Sequence, residues 1–114
     1  MFKEKLKIHQ VHGITEKQRE DVINFLQGSV YCWCKNKKNE WFAARDLIGG
    51  DNNDWSRTPL MALFEKYKNM GRSDNSAVDE AAKDAGRLLK KVIDEDKRLF
   101  DTKVEGLVRQ YLWE

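Results

Sequence analysis

Between Ser76 and Trp113 the spacing of apolar positions changes once, and the rest of the chain is best read around that change. On a wheel of about 100° per residue, Val78, Ala81, Ala82, Ala85, Leu88, Leu89, Val92 and Ile93 fall on one side. Lys83, Arg87, Lys90 and Lys91 fall on the other, with Asp84 and Asp94 interrupting their stripe. The pattern predicts an amphipathic helix over residues 77–96. Ser76 is its expected cap, and Asp79 and Glu80 lie in a first turn where the helix dipole favours negative charge. After Asp96 the period shortens to that of a strand. Val108, Gln110 and Leu112 alternate with Arg109, Tyr111 and Trp113, and Leu99-Phe100 precede a turn expected at Lys103 to Gly106. A hairpin over residues 98–113 follows.

Upstream, Thr15-Glu16-Lys17-Gln18 has the form of a capping box and predicts a helix start. Val22, Phe25, Leu26, Val30 and Trp33 continue at helical spacing to about residue 34, although Gly28-Ser29 leaves Val30 to Cys34 open to a short strand. Residues 1–14 read as an N-terminal arm and residues 15–114 as a single domain. Asn36 to Asn39 is a polar turn, and Glu40-Trp41-Phe42 offers one strand rung before a helical segment from Ala43 to Ile48. Gly49-Gly50 would stop that segment, Asp51 to Asp54 would form a solvent loop, and Trp55 would pin the loop to the core. Thr58-Pro59 predicts a cap followed by proline at the first helical position, with Leu60, Leu63, Phe64 and Tyr67 as the apolar stripe up to Met70. Gly71 to Asn75 then reads as a connector.

This order of elements resembles the winged helix-turn-helix superfamily, over roughly residues 15 to 113 and on pattern alone. The resemblance implies an α+β fold, mainly α: a winged-helix-like three-helix core with a C-terminal β-hairpin. It also implies duplex DNA binding through the helix that precedes the wing, as in a transcriptional or phage- or mobile-element-type regulator. Two helix-turn-helix pairs fit, 43–48 with 58–70 or 58–70 with 77–96. The second is preferred because its last helix leads directly into the hairpin.

Composition narrows the classes without choosing among them. A chain of 114 residues suits one modest core, and 40% hydrophobic residues argue against disorder. With 21 basic and 19 acidic side chains, a net charge of +2 and a pI near 8.5, a polyanion would be drawn to a local patch and not to the whole molecule. The first residues lack the apolar stretch of a signal peptide, and no apolar run reaches the roughly 18 residues of a membrane span. Cys32 and Cys34, one residue apart, are poorly spaced for a disulfide with each other. A cytoplasmic location is the expectation.

The candidate DNA-binding residues are Lys83, Arg87, Lys90 and Lys91 on the helix, Lys103 and Arg109 on the hairpin, and Arg72 ahead of the helix. Lys83 and Arg87 are the expected base readers. His9 and His12 with Cys32 and Cys34 offer zinc-type ligands at spacings unlike the usual pairs, so no metal or other cofactor is expected. The aromatic residues Trp33, Trp41, Trp55, Trp113, Phe42, Phe64, Phe100, Tyr31, Tyr67 and Tyr111 suit a core better than a stacking platform. An exposed Trp33 or Trp113 would instead suit a homodimer interface. Glu40, Asp46, Asp51 and Asp54 form an acidic neighbourhood of the residue type that binds Mg²⁺ in nucleases, but no phosphate-binding glycine motif, His-Glu-x-x-His or serine elbow is present, and no enzyme is expected. The alternative to DNA binding is a non-catalytic module that docks a protein partner through the same fold.

Overall fold

A computed structural model describes residues 1–48 and 55–114. Helix α1 spans Glu16–Asn36 and begins as the sequence predicts: the Gln18 amide donates to Thr15 Oγ1 at 3.0 Å, and Gln18 Oε1 accepts from the Thr15 amide at 2.9 Å. The helix runs through Gly28-Ser29 without a break, so Val30 to Cys34 is helical and not a strand. Val22, Leu26, Val30 and Cys34 are its buried stripe, and four consecutive core contacts at helical spacing outweigh one glycine.

The strand rung expected near Phe42 is β1, Phe42–Ala43, and the short helix α2, Ala44–Leu47, follows directly. Asp46 Oδ2 accepts from the Ala43 amide at 2.8 Å and so caps α2 from within. Gly49-Gly50 and Asp51 to Asp54 lie outside the described residues. Trp55 is buried, and its Nε1 donates to the Ile48 carbonyl at 3.3 Å; the loop it is expected to pin lies outside the described residues.

Two helix starts differ from the sequence reading. The Thr58 hydroxyl donates to the Trp55 carbonyl at 2.8 Å instead of capping a helix. Three successive amides, at Met61, Ala62 and Leu63, then bond to carbonyls three residues back, so a tight turn precedes α3, Met61–Asn69. Helix α4 starts at Asp74, not Ala77, because Ser73 and not Ser76 is the cap: Ser73 Oγ accepts from the Ser76 amide at 3.2 Å. Gly71 to Asn75 is therefore no loose connector. Gly71, at φ +86°, ends α3 in a Schellman arrangement, with the Arg72 amide on Tyr67 O at 3.1 Å and the Gly71 amide on Lys68 O at 3.0 Å. Four residues thus turn α3 into α4, Asp74–Glu95.

The hairpin consists of β2, Phe100–Glu105, and β3, Val108–Trp113. Its turn is Gly106-Leu107, later than the expected Lys103 to Gly106, because Glu105 pairs directly with Val108 and leaves two residues in the loop. Gly106 takes φ +62° at the first turn position, where a II′ hairpin calls for glycine. Strand β3 is central in an antiparallel sheet of order β1-β3-β2, with Phe42 opposite Tyr111 and Thr102 opposite Tyr111 from the other side. The face bearing Phe100 and Tyr111 is turned to the core, so Arg109 and Trp113 share the inward side and Val108, Gln110 and Leu112 the other.

The result is an α+β fold, about half helical, with four helices and a three-stranded antiparallel sheet among the described residues. Its core joins Val22, Leu26 and Val30 of α1 to Leu63 of α3, to Ala81, Ala85, Leu88, Leu89, Val92 and Ile93 of α4, and to Phe42, Phe100 and Tyr111 of the sheet. Of the apolar face expected on α4, Val78 and Ala82 are only half-buried, whereas Ala77, outside that expected face, is fully buried. The first residues also contribute: Phe2 forms a parallel bridge with Phe100 and stacks on Tyr111 at 5.8 Å, and Val11 is buried. A radius of gyration of 13.8 Å agrees with the roughly 13 Å expected for a folded domain of this length.

Candidate nucleic-acid interface

Helix α4 turns its apolar face to the core, so its opposite face borders solvent beside the hairpin and α2. There the three elements enclose an open groove of about 500 Å³. Small residues form part of its lining: Ala43 from β1, Ala44 from the start of α2, and Ala82 and Gly86 from α4. A Cβ built on Gly86 meets nothing within 4 Å, so the groove is open above it. Around this lining stand Lys83, Arg87 and Lys90 of α4, Arg45 of α2 and Arg109 of β3, and no carboxylate is among the described residues that line it.

The cations are held to different degrees. Lys83 is exposed and pairs with Glu80 on its own helix at 3.2 Å. Arg109 donates to Thr102 Oγ1 across the hairpin at 3.1 Å. Lys90 is half-buried, and its pKa is lowered chiefly by that burial and further by the Arg109 guanidinium, against a smaller opposing pull from Asp94. Cations that disfavour one another in this way create a local positive potential that an anion would relieve. Arg87 reaches the groove from a buttress: its Nη1 donates to Asp84 Oδ1 at 2.9 Å.

Asp84 corrects the sequence reading most directly. Helical spacing places it among the surface charges of the basic stripe, yet it is 2% exposed. Its second oxygen accepts from Lys66 Nζ at 2.5 Å and from the Tyr67 hydroxyl at 2.7 Å, so α3 neutralises it from beneath. Lys66 also donates to the His12 carbonyl at 2.7 Å, tying in the first residues.

Four of the seven expected residues therefore meet at one groove: Lys83, Arg87, Lys90 and Arg109. Three stand apart. Lys91 is half-buried and outside the lining. Lys103 lies on β2, bound to Glu105 at 2.9 Å and set over the Trp41 ring at 4.4 Å, because the turn falls beyond it. Arg72 sits in the α3–α4 turn, ahead of the first residue of α4, and donates to Ser76 Oγ at 3.4 Å. Arg45 was missed. It is the basic residue of α2, and nothing in its local pattern signals that β1 pairing with β3 brings it beside α4.

The other candidate chemistry is dispersed. Cys34 is buried while Cys32, His9 and His12 are exposed, and no group of three or more metal-ligating side chains gathers among the described residues. Burial raises the Cys34 thiol pKa. Asp46 is spent on capping α2, and Asp51 and Asp54 lie outside the described residues. Phe42 packs against Trp33, Phe100 and Tyr111 with ring centroids 5.7 to 6.4 Å apart. Among the described residues no helix is long and apolar enough to cross a membrane.

No family model, curated protein or solved structure matches the chain.

Proposed function

We propose that the chain is a winged-helix-type DNA-binding protein that seats the duplex backbone on the groove between α4, α2 and the hairpin. One observation carries this reading: cations from three separate elements converge on one groove whose described lining has no carboxylate. The β1-β3-β2 order and a long helix feeding the hairpin suit a wing, and the four-residue turn between α3 and α4 favours those two as the helix-turn-helix pair. Lys83 and Lys90 contact phosphates as point charges, whereas the Asp84 buttress leaves Arg87 oriented for a forked contact to a base edge or phosphate. The reading requires no catalytic step.

Gly86→Glu tests it. Glutamate is a better helix former than glycine, and the site has space for the side chain, so folding should be retained or improved. The new carboxylate stands in the groove, and duplex affinity should fall at least tenfold. Unchanged affinity in a folded variant would rule the groove out as the binding surface.

A second reading is a protein-docking module or homodimer. Its support is a different surface, where the Arg98 guanidinium lies 5.9 and 5.6 Å from the ring centroids of Tyr31 and Trp113, and where Tyr31 and Leu99, the residue after Arg98, are exposed. Tyrosine, tryptophan and arginine are the residues enriched at interface centres. Light scattering that shows a dimer lost in Tyr31→Ala would favour this surface as an interface between copies.

A further inference from the structure

The hairpin ends in an apolar tip that contributes nothing to the fold. Leu107 is fully exposed and Val104, near the end of β2, is 53% exposed, although both are apolar. The turn itself needs only the positive φ of Gly106, so the hairpin gains no geometry from leucine at the next position. A polar residue there would cost nothing and would improve solubility.

What surrounds the tip is equally informative. Leu107 and Arg109 both line the cationic groove, with Lys83 and Lys90 opposite on α4. The carboxylate near the tip, Glu105, is held by Lys103 at 2.9 Å and by the Gln110 amide at 3.1 Å, which offsets its repulsion of a phosphate. An exposed leucine backed by cations does not match an apolar partner, which would meet charge around it. It does match duplex DNA, whose phosphates take the cations while the stacked bases between them are apolar on their faces.

We infer that Leu107 is a wedge: it enters the minor groove at the tip of the hairpin, presses between two base pairs and kinks the duplex toward its major groove, away from the inserted tip. This rests on the groove being a DNA-binding surface and adds what the tip does there. Proteins that insert apolar side chains in this way bend DNA by about 20–90°, and pyrimidine–purine steps unstack most readily. The tip is narrow enough for the task, since it is a two-residue turn joining two strands about 4.8 Å apart. Phosphate contacts remain with Lys83, Arg87, Lys90 and Arg109, so the wedge and the electrostatic anchor are separable.

The test uses the full chain and a short duplex with one central TA step, labelled at both ends for energy transfer. Wild-type protein should bring the ends closer on binding. Leu107→Ala should bind with the same dependence on salt but leave the duplex near its free length, and Leu107→Met should restore the bend. Because Leu107 touches nothing in the core, these variants fold. A duplex that stays straight with wild-type protein, or one that Leu107→Ala bends equally, overturns the wedge while leaving the groove reading intact. Absence of any duplex binding by wild type at low salt overturns the groove reading and the wedge with it. A change of oligomeric state in Leu107→Ala, read by light scattering, would make the tip a contact between copies and overturns the wedge.

Discussion

Asp84, inside α4, and Asp96, just past its end, are buried aspartates put to different uses. Asp84 is buried with Lys66, whose side chain is 10% exposed, and removing the carboxylate strands that ammonium. Asp84→Ala should lower unfolding free energy by about 3–5 kcal/mol in urea denaturation. Arg87→Ala should cost far less, because the pair's arginine arm is 43% exposed and Asp84 keeps its bonds from Lys66 and Tyr67. Equal losses would mean that Arg87 is a structural partner of Asp84 and not a side chain held ready for a ligand. Asp96 follows α4 and accepts from Arg98 Nε at 2.9 Å, Arg98 Nη2 at 2.7 Å and Gln27 Nε2 at 2.9 Å. Burial works to raise its pKa, but hydrogen bonds from the Arg98 side chain and backbone and from Gln27 prevail and hold it well below the usual 3.8. A depressed carboxylate contributes stability above its unfolded pKa and loses it as pH falls through the folded value. Stability should therefore decline from about pH 4 downward, and Asp96→Asn should flatten that decline while lowering stability at neutral pH. A decline of the same steepness in Asp96→Asn would assign the acid sensitivity elsewhere.

Elements were legible where a local hydrogen bond decides them. Thr15 and Gln18 mark the start of α1 because both halves of their capping box lie within four residues. The apolar face of α4 was legible because eight positions repeat at one period. Its start was not: Ser73 and Ser76 are equally good caps by residue type, and the choice falls to Gly71, whose Schellman turn delivers the chain to Ser73. Ser73→Ala should cost about 1 kcal/mol and Ser76→Ala, inside the first turn, much less. The reverse order, measured by thermal unfolding, would return the helix start to residue 77. The hairpin turn was misplaced because alternation alone cannot tell which of several polar residues leave the ladder. Pairing of Glu105 with Val108 settles it, and Gly106→Ala should cost about 1 kcal/mol through its positive φ alone, since no neighbour lies within 4 Å.

At the scale of the molecule, the groove was half legible. A basic stripe on α4 could be read from the wheel, but a stripe is what any solvated helix presents. What distinguishes this one is tertiary: β1 pairing brings Arg45 alongside, the core orientation of Tyr111 brings Arg109 from the sheet, and Asp84 turns inward instead of opposing a phosphate. None of these is written in the spacing of α4 itself. A net charge of +2 leaves little long-range attraction, so the proposed duplex binding would rest on this groove and weaken with salt. The most direct test is polarisation of a fluorescent random-sequence duplex titrated with the protein across a range of salt. Binding should be micromolar at low salt, with a slope of log affinity against log salt of about −4, reflecting four to five phosphates. Replacing Lys83 or Lys90 by alanine should each reduce that slope by about one, and Lys103→Ala should not change it. No binding at low salt, or binding whose salt dependence ignores Lys83 and Lys90, would contradict the assignment of this groove to DNA.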